Sequence, residues 1–252
     1  QTDQQFREIS ARFAAAARAH SLSFQIGAAH PLAQGTLERV AFARTLDPGA
    51  IQVTLPDWTA LELASVISFL ARVAEIACGT PLVLYNPPHA KTVLSPAALI
   101  EIARVTPRLV GLKCAGGEED WYRAMTPLFE RLSIFIPGHH YATGRKHGAH
   151  GSYSNIACLS PIGAVSWAQM AEVEARETET RIASFMAEAI QPLLDRGLPG
   201  FACDKAMAAA GGWTRISPRL MWPNIGASVS DVSRFACVAR KHIPQIIKPV
   251  DA

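Results

Sequence analysis

Several absences narrow what this chain of 252 residues can be. Its five cysteines (78, 114, 158, 203 and 237) are odd in number, widely spaced and without a CxxC pair. Disulfide-framework and metal-ribbon readings are therefore weak, and a reducing cytoplasm is the expected setting. No apolar stretch is long enough to cross a bilayer, and no signal peptide is visible, so no membrane partner is expected. Net charge is only +3, and the nearest thing to a basic run, Gly144-Arg145-Lys146-His147, is too short for a nucleic-acid surface. No glycine-rich phosphate loop follows any strand-like segment, which argues against a dinucleotide-binding sheet. Lysine is scarce as well, with six copies at 91, 113, 146, 205, 241 and 248.

What remains is a composition of 49% hydrophobic and 18% charged residues, that of a well-packed globular protein. Short β-rich runs at 22–28, 50–55, 81–87, 109–115, 133–138 and 151–156 alternate with helix-like runs at 34–46, 59–78, 95–105, 118–132 and 141–149. Such alternation predicts parallel βαβ units. After Pro161 the strand signals stop, and helical stretches are expected at 162–174, 177–196, 200–210 and 228–246. Residues 1–160 are thus read as the strand-bearing barrel and residues 161–252 as its last helix and a helical extension. Six strands fall short of the eight a closed (β/α)8 barrel needs. Residues 1–20 look helical with no strand before them, so the expectation is an α/β barrel whose first two strands and first helix precede Gln1.

Lys113 is the one lysine inside an apolar strand-like run, Leu109-Val110-Gly111-Leu112-Lys113-Cys114, ended by the pair Gly116-Gly117. An ammonium held in apolar surroundings loses its proton readily and becomes a nucleophile toward ketones. The bland reading is a strand-end lysine reaching solvent or a carboxylate. A second segment, Pro81-Leu82-Val83-Leu84-Tyr85-Asn86-Pro87-Pro88, is an apolar strand ended by two prolines that turn the chain out of the sheet. Tyr85 and Lys113 fall near the C-terminal ends of consecutive strands, where parallel barrels build their active sites. A phenol beside such a lysine can shuttle protons; an aromatic cap on the core is the alternative.

The order Tyr85-Asn86-Pro87-Pro88, Gly111-Leu112-Lys113, Gly138, then Gly148-Ala149-His150-Gly151-Ser152-Tyr153-Ser154 resembles the dihydrodipicolinate synthase / N-acetylneuraminate lyase family of pyruvate-type class I aldolases. The likeness runs from about residue 20 to about residue 245. It implies a (β/α)8 barrel with a C-terminal helical extension, a homo-oligomer (dimer or tetramer), and a 2-keto acid substrate such as pyruvate with no cofactor. It also implies Lys113 as the Schiff-base lysine and Tyr85 as the acid/base residue, with Gly138 and Tyr153 bordering the keto-acid pocket.

The departures shape the expected activity. The family's Gly-Thr-Thr-Gly-Glu loop is not in this sequence and would fall upstream of Gln1. Where synthases place a tyrosine reaching a neighbouring subunit, this chain has Thr54-Leu55-Pro56-Asp57-Trp58. The synthase arginine is replaced within Pro88-His89-Ala90-Lys91-Thr92. Authentic dihydrodipicolinate synthesis is therefore not expected; aldol cleavage or dehydration of another 2-keto acid is. His89 and Lys91 are candidates for the substrate's distal polar end, and Trp58 for a pocket wall. The histidines at 139, 140, 147 and 150 leave a metal-dependent aldolase as one alternative, although no carboxylate has recognisable ligand spacing with them. A non-catalytic keto-acid-binding relative is the other.

Overall fold

The computed structural model describes residues 1–247; the last five residues of the 161–252 segment lie outside them. The chain divides into two compact units, residues 1–135 with 148–150, and residues 136–147 with 151 onward. Among the described residues there are six strands rather than eight: β1 Gln25–Gly27, β2 Ala50–Val53, β3 Leu82–Asn86, β4 Leu109–Cys114, β5 Ser133–Pro137 and β6 Gly151–Tyr153. They follow one another in sheet order as in sequence, and each pair from β1 to β5 is parallel.

The first unit carries β1 to β4, most of β5 and five helices: α1 Asp3–Ala19, α2 Ala33–Ala43, α3 Leu63–Ala77, α4 Pro96–Val105 and α5 Glu119–Phe129. Side chains alternate across a strand, and here one face is apolar except for Asn86 at the end of β3. Ile51, Val53, Leu82, Leu84 and Ile134 are fully buried and Leu112 is 1% exposed, in one cluster with Val66, Leu70 and Val73 of α3 and Ile102 of α4. The apolar stripe of α3 continues to Ala77, the spacing that lays a helix on a sheet. Ser95 accepts a hydrogen bond from Ala98 N, with Pro96 at the first helical position, so α4 starts where the sequence predicts.

Several details differ from expectation. The helix predicted over 59–78 begins only at Leu63, because residues 57–61 are tied to other loops by hydrogen bonds described below. The strand predicted over 151–156 stops at Tyr153, and Ile156 opens a short helix. The run around Lys113 is not uniformly buried either. Leu82 pairs with Leu109 but Val83 pairs with Gly111, leaving Val110 as a bulge, 42% exposed.

Apart from β6 and the end of β5, the second unit is helical: α6 Tyr141–Lys146 before β6, then α7 Ile156–Leu159, α8 Pro161–Ala168, α9 Glu172–Phe185, α10 Gln191–Asp195, α11 Gly200–Gly211 and α12 Val229–His242, with a π-turn at 186–190 between α9 and α10. It has its own core, in which Phe185 and Phe235 meet edge to face at 6.3 Å and buried Trp167 donates its indole N–H to Ala175 O. Ser228 and Asp231 form a capping box at the start of α12, and Arg196 donates to Asp231 at 2.8 Å.

Two outcomes follow. Leu112→Ala should lower stability by about 2–5 kcal/mol in chemical denaturation, as for other fully buried leucines, whereas Val110→Ala at the bulge should change it by less than about 0.5 kcal/mol. The guanidinium of Arg196 and the Ser228 cap hold Asp231 down at about 2. A depressed carboxylate contributes stability that is complete above its unfolded value of about 4 and is lost as pH falls through the folded one. Arg196→Ala should therefore lower stability near pH 7, and the difference from the unchanged protein should shrink as pH falls from about 4 toward 2, as read by chemical denaturation at a series of pH values.

Candidate active site

Strand register brings Lys113 and Tyr85 together. Tyr85 of β3 stands opposite Lys113 of β4, and Lys113 stands opposite Phe135 of β5. All three project from the face turned away from the helices. The bulge decides this. Carried straight on from Leu82–Leu109, the pairing would set Leu112 beside Tyr85 and turn the lysine into the helix-facing core. With Val110 bulged, the Lys113 Nζ lies over the Tyr85 ring, 3.9 Å from its centroid.

The same face carries Gln25, Gly27, Gln52, Val83, Gly111 and Ser133. Gly27 and Ser133 are exposed, and Gln25, Gln52, Tyr85, Lys113 and Phe135 are half-buried, so the amine sits on an accessible surface bounded by packed strands. Gly111 has a packing reason to be glycine: a Cβ there would lie 3.1 Å from Ser133 O and 3.3 Å from Val83 Cγ2. Cys114, next to the lysine, faces the core, and burial pushes its thiol up to about 11. It is therefore no competing nucleophile.

The loops beyond the strand ends are joined to one another. Lys91 donates its backbone N–H to Asp57 Oδ1 and its Nζ to Trp58 O, each at 2.9 Å. Leu61 N donates to Thr92 Oγ1 at 2.8 Å, and Asp57 N to Pro31 O at 3.0 Å. Trp58 itself is 80% exposed and His89 is exposed, so neither packs beneath the loop. The sequence reading assigned no role to Asn86 or Asp57, which organise this region. Asn86 sits inside the motif quoted above, but its hydrogen bonds reach six and eight residues along the chain, beyond what spacing reveals.

Gly138 and Tyr153 belong to the second unit. A Cβ on Gly138 would lie 2.6 Å from Ser154 Cα, so the turn ending β5 approaches that residue too closely for any side chain. Beside it His139 N donates to Asn155 Oδ1 at 3.1 Å. A backbone N–H can only donate, which fixes the amide orientation and sets Asn155 Nδ2 toward His139 Nδ1, 2.9 Å away. That nitrogen must accept, leaving the proton on Nε2. Burial, then neighbouring His140, lower the His139 pKa, against an opposing pull from Asn155 and Glu179. The rings of His139 and His140 are 4.2 Å apart. Among the described residues no three His, Cys, Asp or Glu side chains are grouped as metal ligands, so the four-histidine segment forms no ready-made metal site.

A parallel sheet with helices packed on one face and a lysine–tyrosine pair on the other is an α/β fold. No protein-family model and no curated protein matches the sequence. Solved structures do. A prophage protein of the dihydrodipicolinic acid synthase family from E. coli K12, in complex with pyruvate, superposes with a TM-score of 0.82 at 15% identity, covering 96% of this chain and 82% of that one. Dihydrodipicolinate synthase from Bacteroides thetaiotaomicron gives 0.77 at 18% identity, with 95% and 82% covered. The Ruminococcus gnavus sialic acid aldolase gives 0.72 at 16% identity, with 89% and 76% covered, and a catalytic-lysine mutant of that aldolase matches equally well. The chain shares the fold of these proteins. No helix of the described residues is long and apolar enough to cross a membrane.

The burial pattern makes one chemical prediction. Iodoacetamide should alkylate exposed Cys78 and Cys237 in the folded protein and leave Cys114 and Cys203 unmodified, as read by peptide mass spectrometry. Rapid labelling of Cys114 would contradict the orientation given to β4, and with it that of Lys113.

Proposed function

We propose that this protein is a Schiff-base-forming lyase, a class I aldolase or dehydratase acting on pyruvate or another 2-keto acid. The observation that carries the proposal is the Lys113 amine held 3.9 Å from the centre of the Tyr85 ring on the accessible face of the sheet. Pyruvate in the E. coli relative and the catalytic lysine of the Ruminococcus aldolase support it. In this reading the six-stranded sheet is part of a (β/α)8 barrel with a C-terminal helical extension, acting as a cytoplasmic homo-oligomer.

Neutral Lys113 Nζ attacks the keto carbon, one amine proton passes to the former carbonyl oxygen, and a second proton, delivered through Tyr85, lets that hydroxyl leave as water and gives an iminium. The negative face of the Tyr85 ring favours that cation as it forms. The iminium draws electrons from the adjacent carbon, so a carbon–carbon bond breaks, or a proton and then hydroxide leave, through an enamine. Tyr85 carries the protons between substrate oxygen and solvent. The amine supplies the electrophilic activation, so the chemistry calls for no cofactor. Gly138 and Tyr153 are proposed to border the keto acid, and His89, Lys91 and Trp58 to meet its distal end. The Nζ of Lys91 already uses one donor on Trp58 O, which leaves two for substrate.

Incubation with pyruvate and borohydride should add one reduced pyruvyl group at Lys113 and none in Lys113→Ala. Tyr85→Phe should slow exchange of the pyruvate methyl protons into deuterated water by roughly 10²–10⁴-fold, the usual contribution of a positioned acid/base group. An adduct distributed over several lysines, or a Lys113→Ala protein that still exchanges those protons, would sink the proposal.

A further inference from the structure

Asn86 directly follows Tyr85 and stands opposite Cys114, on the helix-facing side of the sheet. It is 7% exposed, one of few buried polar side chains. Both ends of its amide are used. Nδ2 donates to Thr92 O at 2.7 Å, and Oδ1 accepts from Leu94 N at 2.8 Å. The first partner can only accept and the second can only donate, so the amide orientation is fixed and no other residue of this size satisfies both. A carboxylate would set an acceptor against Thr92 O; an apolar side chain would leave two buried backbone groups unpaired.

The segment so gripped is the one that holds the neighbouring loop. Thr92, 8% exposed, accepts from Leu61 N, and Lys91 fastens Asp57 and Trp58 O. Asp57 N in turn donates to Pro31 O, in the loop after β1. Three loops therefore depend on a single amide located one residue from the tyrosine. Side chains of consecutive strand residues point to opposite faces, so a shift at Asn86 turns Tyr85 about the strand axis. Such a shift moves the phenol relative to Lys113 without touching the lysine strand.

We infer that Asn86 is a positioning residue that holds Tyr85 over Lys113 through the 92–94 segment. The inference rests on the Schiff-base reading above. Its test uses pyruvate alone as probe, with two readouts: the fraction of chains trapped by borohydride, and the rate of methyl-proton exchange per trapped chain across pH. Asn86→Asp should still form adduct at Lys113, with half-saturating pyruvate within about threefold of the unchanged protein. Its exchange rate per trapped chain should fall at least tenfold, and the limb of the pH profile that Tyr85→Phe abolishes should shift. Thr92→Val keeps the Asn86 contacts to the backbone and loosens only the bond to Leu61. It should lose about threefold by the same measure, and Asn86→Ser, which removes the amide without adding charge and should also slow exchange per trapped chain at least tenfold, decides the matter if Asn86→Asp fails to fold. A purely structural role would lower trapping and exchange together, leaving the rate per trapped chain and its pH profile unchanged, and would overturn the inference. Absence of adduct in the unchanged protein would instead overturn the proposed function, and this inference with it.

Discussion

The register between β3 and β4 is the constraint on which the rest depends. Strand side chains alternate, so one residue of slip exchanges the two faces. The hydrophobic core fixes the choice. Leu84, Leu112 and Ile134 stand side by side in register and all lie buried against the helices. With those three turned inward, Tyr85, Lys113 and Phe135 can only project the other way. The bulge at Val110 reconciles this register with Leu82–Leu109 pairing at the strand's beginning. Core packing thereby aims an amine at a phenol ring.

Each of the two units has its own local organisation. The first supplies a rigid strand pair and loops cross-tied through Asn86, Thr92, Lys91 and Asp57. The second supplies a turn at Gly138 that admits no side chain, and a half-buried imidazole whose tautomer is dictated by Asn155.

Much of the fold was legible because the signals were local. Ser95-Pro96 announces a helix start, and the stripe through Val66, Leu70 and Val73 announces a helix laid on a sheet. All six strands fall within predicted runs. What sequence could not show was non-local. The 109–114 run is apolar throughout except for Lys113, so nothing in its pattern marks Val110 as the odd residue. The segment 59–62 has acceptable helix formers, yet Leu61 N donates to Thr92 Oγ1, and the helix begins only at Leu63. Tyr153-Ser154-Asn155 continues a strand-like run, yet Asn155 serves the backbone of His139 across sixteen residues. Lys113 and Tyr85 were identifiable as candidates by type and place, whereas the role of Asn86 depends on partners visible only once the chain is folded.

The most direct test of the account is a crystal structure of the protein soaked with pyruvate. The account predicts continuous density from Lys113 Nζ to the keto carbon, with the Tyr85 hydroxyl within hydrogen-bonding distance of the bound pyruvate. Pyruvate bound without a covalent link, or joined to any other lysine, would contradict it.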